Sequence, residues 1–168
     1  MTSATGMDNQ IYVLAERAGR LLARHRIQLV TAESCTGGGI AEAITMVAGS
    51  SAWFERGFVS YSNQAKQDML GVSVETLNRF GAVSEAVVLD MARGAIQRSK
   101  GHISVAVSGI AGPDGGSVDK PVGTVWIAWG QKLGHAEAEA FLFSGDRQAV
   151  REQTVIQALK GLIARLGG

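Results

Sequence analysis

Two hydrophobic periodicities take turns along this chain, and that alternation limits its folding more than any other feature. Ile11, Leu14, Ala15, Ala18, Leu21 and Leu22 recur at the spacing of one helix face and predict a helix over about residues 8–25. The run IQLVTA interrupts that period and reads as a short buried strand ending at Glu33. Ile40, Ala43, Ile44 and Val47 then restore helical spacing, so a second helix is expected from near Thr36.

Further along, WFERGFVSYS (53–62) is rich in aromatic and β-prone residues and predicts a strand. NQAKQDML reads as a short helix stopped by Gly71, and Val74 to Phe80 as another closed by Gly81. Ser84 can cap a longer helix burying Val87, Val88, Met91, Ala92, Ala95 and Ile96. ISVAVSG is a strand leading into IAGPDGGSVDKP, a loop rich in glycine, proline and aspartate. VGTVWIAWG and AEAEAFLFS predict an antiparallel hairpin, and Val155, Leu159, Leu162, Ile163 and Leu166 a last helix from about Asp146. Helices alternating with strands early and a hairpin late fit a three-layer α/β/α sandwich with a mixed, mostly parallel sheet of about five strands. At 168 residues the expectation is one domain over 8–168 behind a flexible stretch at 1–7.

Composition excludes several function classes. Apolar residues make up 46% of the chain and charged residues 18%, which argues against disorder. A net charge of +1 without a dense basic run argues against a nucleic-acid partner. Cys35 is the single cysteine, so no internal disulfide forms. With no signal peptide and no bilayer-spanning apolar run read, a soluble cytoplasmic protein without membrane attachment is expected.

The chemistry concentrates in TAESCTGGG, residues 31–39. Ser34 falls between a buried strand and a helix, at the carboxyl end of the sheet where open α/β folds bind ligands. Gly37, Gly38 and Gly39 remove side chains from the helix start, so a phosphate or a developing oxyanion could approach backbone N–H groups. A simple N-cap and tight turn remain the bland alternative. Neither a Walker motif nor Rossmann spacing is present, but two glycine-rich loops after two strands suggest one cleft. His25, His102 and His135 adjoin no nucleophile and form no spaced metal cluster with Cys35. Lys66 and Tyr61 could face the same sheet edge as Ser34, a desolvated amine taking the hydroxyl proton while the phenol relays or donates one. Arg147 opens the last helix, where acids are preferred, and so could bind an anion or pair with Asp146. Cys35 is a rival nucleophile or an inert buried thiol.

At these residues the chain resembles a known family. AESCTGG, GSSAWFERGFVSYSN, GAVSE, SGIAGPDGG, KPVGTVW and FSGDR, in that order, resemble the C-terminal domain of the competence-damage-inducible protein CinA, most closely its stand-alone amidohydrolase form, over about residues 10–165. The resemblance implies hydrolysis of the carboxamide of nicotinamide mononucleotide to nicotinic acid mononucleotide and ammonia, in pyridine-nucleotide salvage. It assigns catalysis to Ser34, Tyr61 and Lys66. It assigns substrate binding to Glu33, Thr36, Gly37, Gly38, Ser108, Gly109, Gly112 and the anion-binding Arg147. It implies no metal or organic cofactor and a homo-oligomer whose partner is a small nucleotide. A non-catalytic nucleotide-binding module tied to competence or DNA damage is the alternative.

Overall fold

The computed structural model describes residues 4–168. Helix α1 (Ala4–His25) buries Ala15, Ala18 and Leu22 and starts ahead of the expected residue 8. Of the stretch expected to be flexible, residues 1–3 lie outside the described part. Strand β1 (Leu29–Glu33) follows, every residue buried. Helix α2 (Gly39–Thr45) begins three residues later than Thr36, because Gly37 and Gly38 adopt positive φ (60° and 104°) that only a turn accommodates.

After a 3-10 turn at Ser50–Ala52, strand β2 spans Phe54–Val59 and stops before Tyr61. Helices α3 (Asn63–Leu70), α4 (Val74–Phe80) and α5 (Glu85–Gln97) come next. The hydroxyls of Ser62, Ser73 and Ser84 cap their first turns by accepting from the N–H of Ala65, Thr76 and Val87. Strands β3 (Ile103–Gly109), β4 (Thr124–Gln131) and β5 (Ala136–Leu142) lead to helix α6 (Arg147–Arg165), capped by Asp146.

The sheet order is β2-β1-β3-β4-β5. β1 pairs parallel with β2 and with β3, whereas β3–β4 and β4–β5 are antiparallel, so the sheet is mixed. Side chains alternate across it. Leu29, Ile103, Val105, Val107, Val125, Ile127 and Trp129 pack against α1, α2 and α6. Val30, Ala32, Ala106 and Ala128 face α3, α4 and α5. The second set is smaller because α5 lies close: Ser104 on that face donates to the Ala92 carbonyl at 2.8 Å.

The chain leaves β1 on one face of the sheet and returns to β3, on the other side of β1, across the opposite face. Such a reversal opens a crevice at the carboxyl ends of the two parallel strands. Ser34 stands there, its N–H donating to the Val107 carbonyl at 3.1 Å.

Candidate active site

A cavity of about 280 Å³ at this crevice is lined by Ser34, Tyr61, Lys66, Ser108, Gly109, Gly112 and Arg147. These residues come from the ends of β1 and β3, the β2–α3 connection, the first turn of α3, the second glycine loop and the start of α6. Ser34 is 7% exposed and Lys66 1%. Lys66 reaches the cavity from the first turn of α3, with its Nζ 3.0 Å from Ser34 Oγ.

The surroundings of that nitrogen define its chemistry. Nζ donates to the carbonyl of Ser60 at 3.1 Å and to the carbonyl of Tyr61 at 2.9 Å. A carbonyl only accepts, so both of those positions on nitrogen carry hydrogen. The remaining position faces the serine hydroxyl, and in the neutral amine it is the lone pair. Burial lowers the Lys66 pKa from its ordinary value, an effect only partly offset by Cys35, and no carboxylate pairs with it among the described residues. Desolvation thus shifts Lys66 toward the neutral amine, the form able to accept the Ser34 proton.

Tyr61 takes part differently from the sequence expectation. Its carbonyl contacts Lys66 and lies 3.4 Å from Ser34 Oγ. The phenol is 60% exposed and accepts from Arg147 at 3.2 Å, with no hydrogen bond to Ser34 or Lys66. β2 ends at Val59, so at Tyr61 the main chain turns inward and the ring outward. Arg147 also donates to the Gly112 carbonyl at 2.7 Å and so ties α6 to the second loop across the cavity mouth.

Four residues expected to bind substrate build the loop instead of lining the cavity. The Glu33 carboxylate is 1% exposed and accepts from the Thr36 hydroxyl (2.6 Å) and the N–H of Ile40 (2.8 Å) and Ala41 (3.1 Å). It thus occupies the positive end of α2 that the sequence offered to a ligand anion. Gly37 and Gly38 form the turn between them. The N–H groups of Gly37 and Gly39 close onto the carbonyls of Ser34 and Thr36, both at 3.0 Å. Three residues that line the cavity, Cys35 on the first loop and Ala111 and Gly112 on the second, have N–H groups with no acceptor among the described residues.

The Cys35 thiol is buried, and that burial pushes its pKa up to about 12, which removes it as a nucleophile near neutral pH. Among the described residues no three metal-ligating side chains cluster, and no helix is long and apolar enough to cross a membrane. Sequence reasoning missed Asn63 and Asp114, both on the cavity wall, and the Ser60 carbonyl. Asn63 follows a helix cap, where asparagine needs no special reason, and a main-chain acceptor leaves no mark on a sequence.

Comparison with known proteins places this geometry. The CinA C-terminal domain profile matches residues 11–166. A nicotinamide-nucleotide amidohydrolase PncC from Pseudomonas putida is 58% identical over 153 residues, covering 91% of this chain and 95% of the relative. Its counterpart from Escherichia coli is 53% identical over 155 residues, covering 92% and 94%. The crystal structure of competence/damage inducible protein CihA from Agrobacterium tumefaciens superposes with a TM-score of 0.91 at 48% identity, covering 95% of this chain and 96% of that one.

Proposed function

The chain belongs to the CinA C-terminal domain family, and on that footing we propose that it hydrolyses the carboxamide of nicotinamide mononucleotide to nicotinic acid mononucleotide and ammonia. One observation carries the reading: a buried lysine donates to two carbonyls and stands 3.0 Å from the Ser34 hydroxyl, so that in its neutral form the lone pair is the position facing Ser34.

Ser34 Oγ attacks the carboxamide carbon as its proton passes to Lys66. The N–H groups of Ala111 and Gly112 are the donors assigned to the tetrahedral oxyanion. The carbon–nitrogen bond then breaks, and the Lys66 ammonium returns its proton to the departing nitrogen, which leaves as ammonia. Water, deprotonated by the same amine, cleaves the acyl-serine and frees the acid and Ser34. The Tyr61 phenol and Arg147 hold the ribose phosphate at the mouth. No step calls for a metal or an organic cofactor.

The reading sets the protein in the cytoplasm as a homo-oligomer acting on a small nucleotide. The net charge of +1 supports that partner over nucleic acid. The test is ammonia release from the mononucleotide by the purified protein. Wild type releases it and Ser34→Ala loses at least about a thousandfold in kcat. Binding without ammonia release would leave a nucleotide-binding regulatory module, and full turnover by Ser34→Ala would end the serine mechanism.

A further inference from the structure

We propose that Arg151 is a positioning residue that holds the loop carrying Ser34 in its reactive shape without touching substrate. The proposal rests on the amidohydrolase reading. Arg151 lies one turn beyond Arg147 on α6. Its Nε donates to the Cys35 carbonyl at 3.1 Å and its Nη2 to the Thr36 carbonyl at 3.2 Å. It pairs with no carboxylate among the described residues.

An exposed arginine on a helix ordinarily pairs with a neighbouring acid or with water. Here a planar fork grips two consecutive carbonyls, which fixes two successive peptide planes at once. The third carbonyl of the turn, that of Ser34, is already held by the Gly37 N–H at 3.0 Å. All three peptide units after the nucleophile are therefore fixed, in a segment whose two glycines at positive φ would otherwise leave it loose. The fork lies against this turn, with Arg151 Nη2 3.4 Å from where a Cβ on Gly37 would stand. Glu33 grips the same loop from beneath through Thr36 and α2. Opposed clamps of this kind keep Ser34 Oγ on the Lys66 lone pair, where small displacements cost large factors in rate.

The rival role is phosphate binding, since Arg151 also borders a second cavity on the far side of Arg147. Steady-state kinetics on Arg151→Ala and Arg151→Lys separate the two, with thermal melts beside them. Positioning lowers kcat of Arg151→Ala by about ten- to a hundredfold and leaves KM within about twofold. Millimolar methylguanidine restores part of that kcat, and Arg151→Lys keeps an intermediate value because an ammonium lacks the planar fork that sets both peptide planes. A raised KM at unchanged kcat, wild-type kinetics, or a loss that follows unfolding and resists methylguanidine would each overturn the proposal. If wild type releases no ammonia, the amidohydrolase reading fails by itself. Labelling of Ser34 by a fluorophosphonate then tests Arg151, and equal labelling rates in wild type and Arg151→Ala would refute it.

Discussion

Lys66 is the largest fully buried side chain among the described residues, and no carboxylate there pairs with it. Its lowered pKa, caused chiefly by desolvation, has two consequences with opposite practical effects. Catalysis needs the amine, so kcat should rise with pH through the Lys66 value in the substrate complex and level off above it. That midpoint should lie below the ordinary lysine value of about 10.4, and Lys66→Arg should abolish the rise together with most of kcat. Stability follows the same titration. Between the folded value and the ordinary one the unfolded chain binds the extra proton, so the penalty is full below the folded value and fades as pH climbs. Urea melts of wild type and Lys66→Met should show the difference moving in favour of wild type across that window; a pH-independent difference would mean that Lys66 stays protonated when folded. That Ser34, Lys66 and Arg147 could meet in one cavity was legible, because each follows or opens an element at the glycine-rich rim of the sheet. The part played by Glu33 was not legible, because in an entirely buried strand a carboxylate takes whatever donors the next helix supplies, and spacing does not show which.

Among the elements, α5 packs closely on the end of α3. Gly94 lies in its last third, inside the helix, where glycine costs about 1 kcal/mol against alanine, yet a methyl group there would run into the Leu70 carbonyl oxygen at the end of α3. A backbone oxygen cannot rotate away, so the two helices must part. Gly94→Ala should therefore lose about 1–3 kcal/mol despite the gain in helix propensity. The measurement is a urea midpoint at unchanged m value, and a stabilised variant would show that α3 gives way freely. Because Lys66 rides on α3, the same variant should lower kcat as well. Periodicity revealed α5, α6 and the buried strands, since packing on one face leaves a mark at every turn. It misplaced the start of α2, because the apolar spacing does not show that Gly37 and Gly38 take positive φ and turn the chain before the helix begins.

Taken as one molecule, the cleft joins groups from both ends of the chain: Ser34 after the first strand and Arg147 at the start of the last helix. The inner cavity of about 280 Å³ holds the Ser34–Lys66 pair, and Arg147 separates it from an outer cavity of about 720 Å³. On the proposed function, the pyridine carboxamide enters the inner space and the ribose phosphate extends past Arg147 toward the outer one. Free nicotinamide lacks the group that Arg147 would hold. A hydrogen-bonded charge of this kind is worth about ten- to a hundredfold in binding, so nicotinamide should fall behind the mononucleotide in kcat/KM by at least that factor. Removing the guanidinium should erase the preference instead of the chemistry: Arg147→Ala raises KM for the mononucleotide more than it lowers kcat, and leaves the rate on nicotinamide nearly unchanged. If Arg147→Ala slows both substrates alike, the guanidinium acts at the reacting carboxamide, and the bridge to the Gly112 carbonyl becomes the means by which it shapes the oxyanion loop.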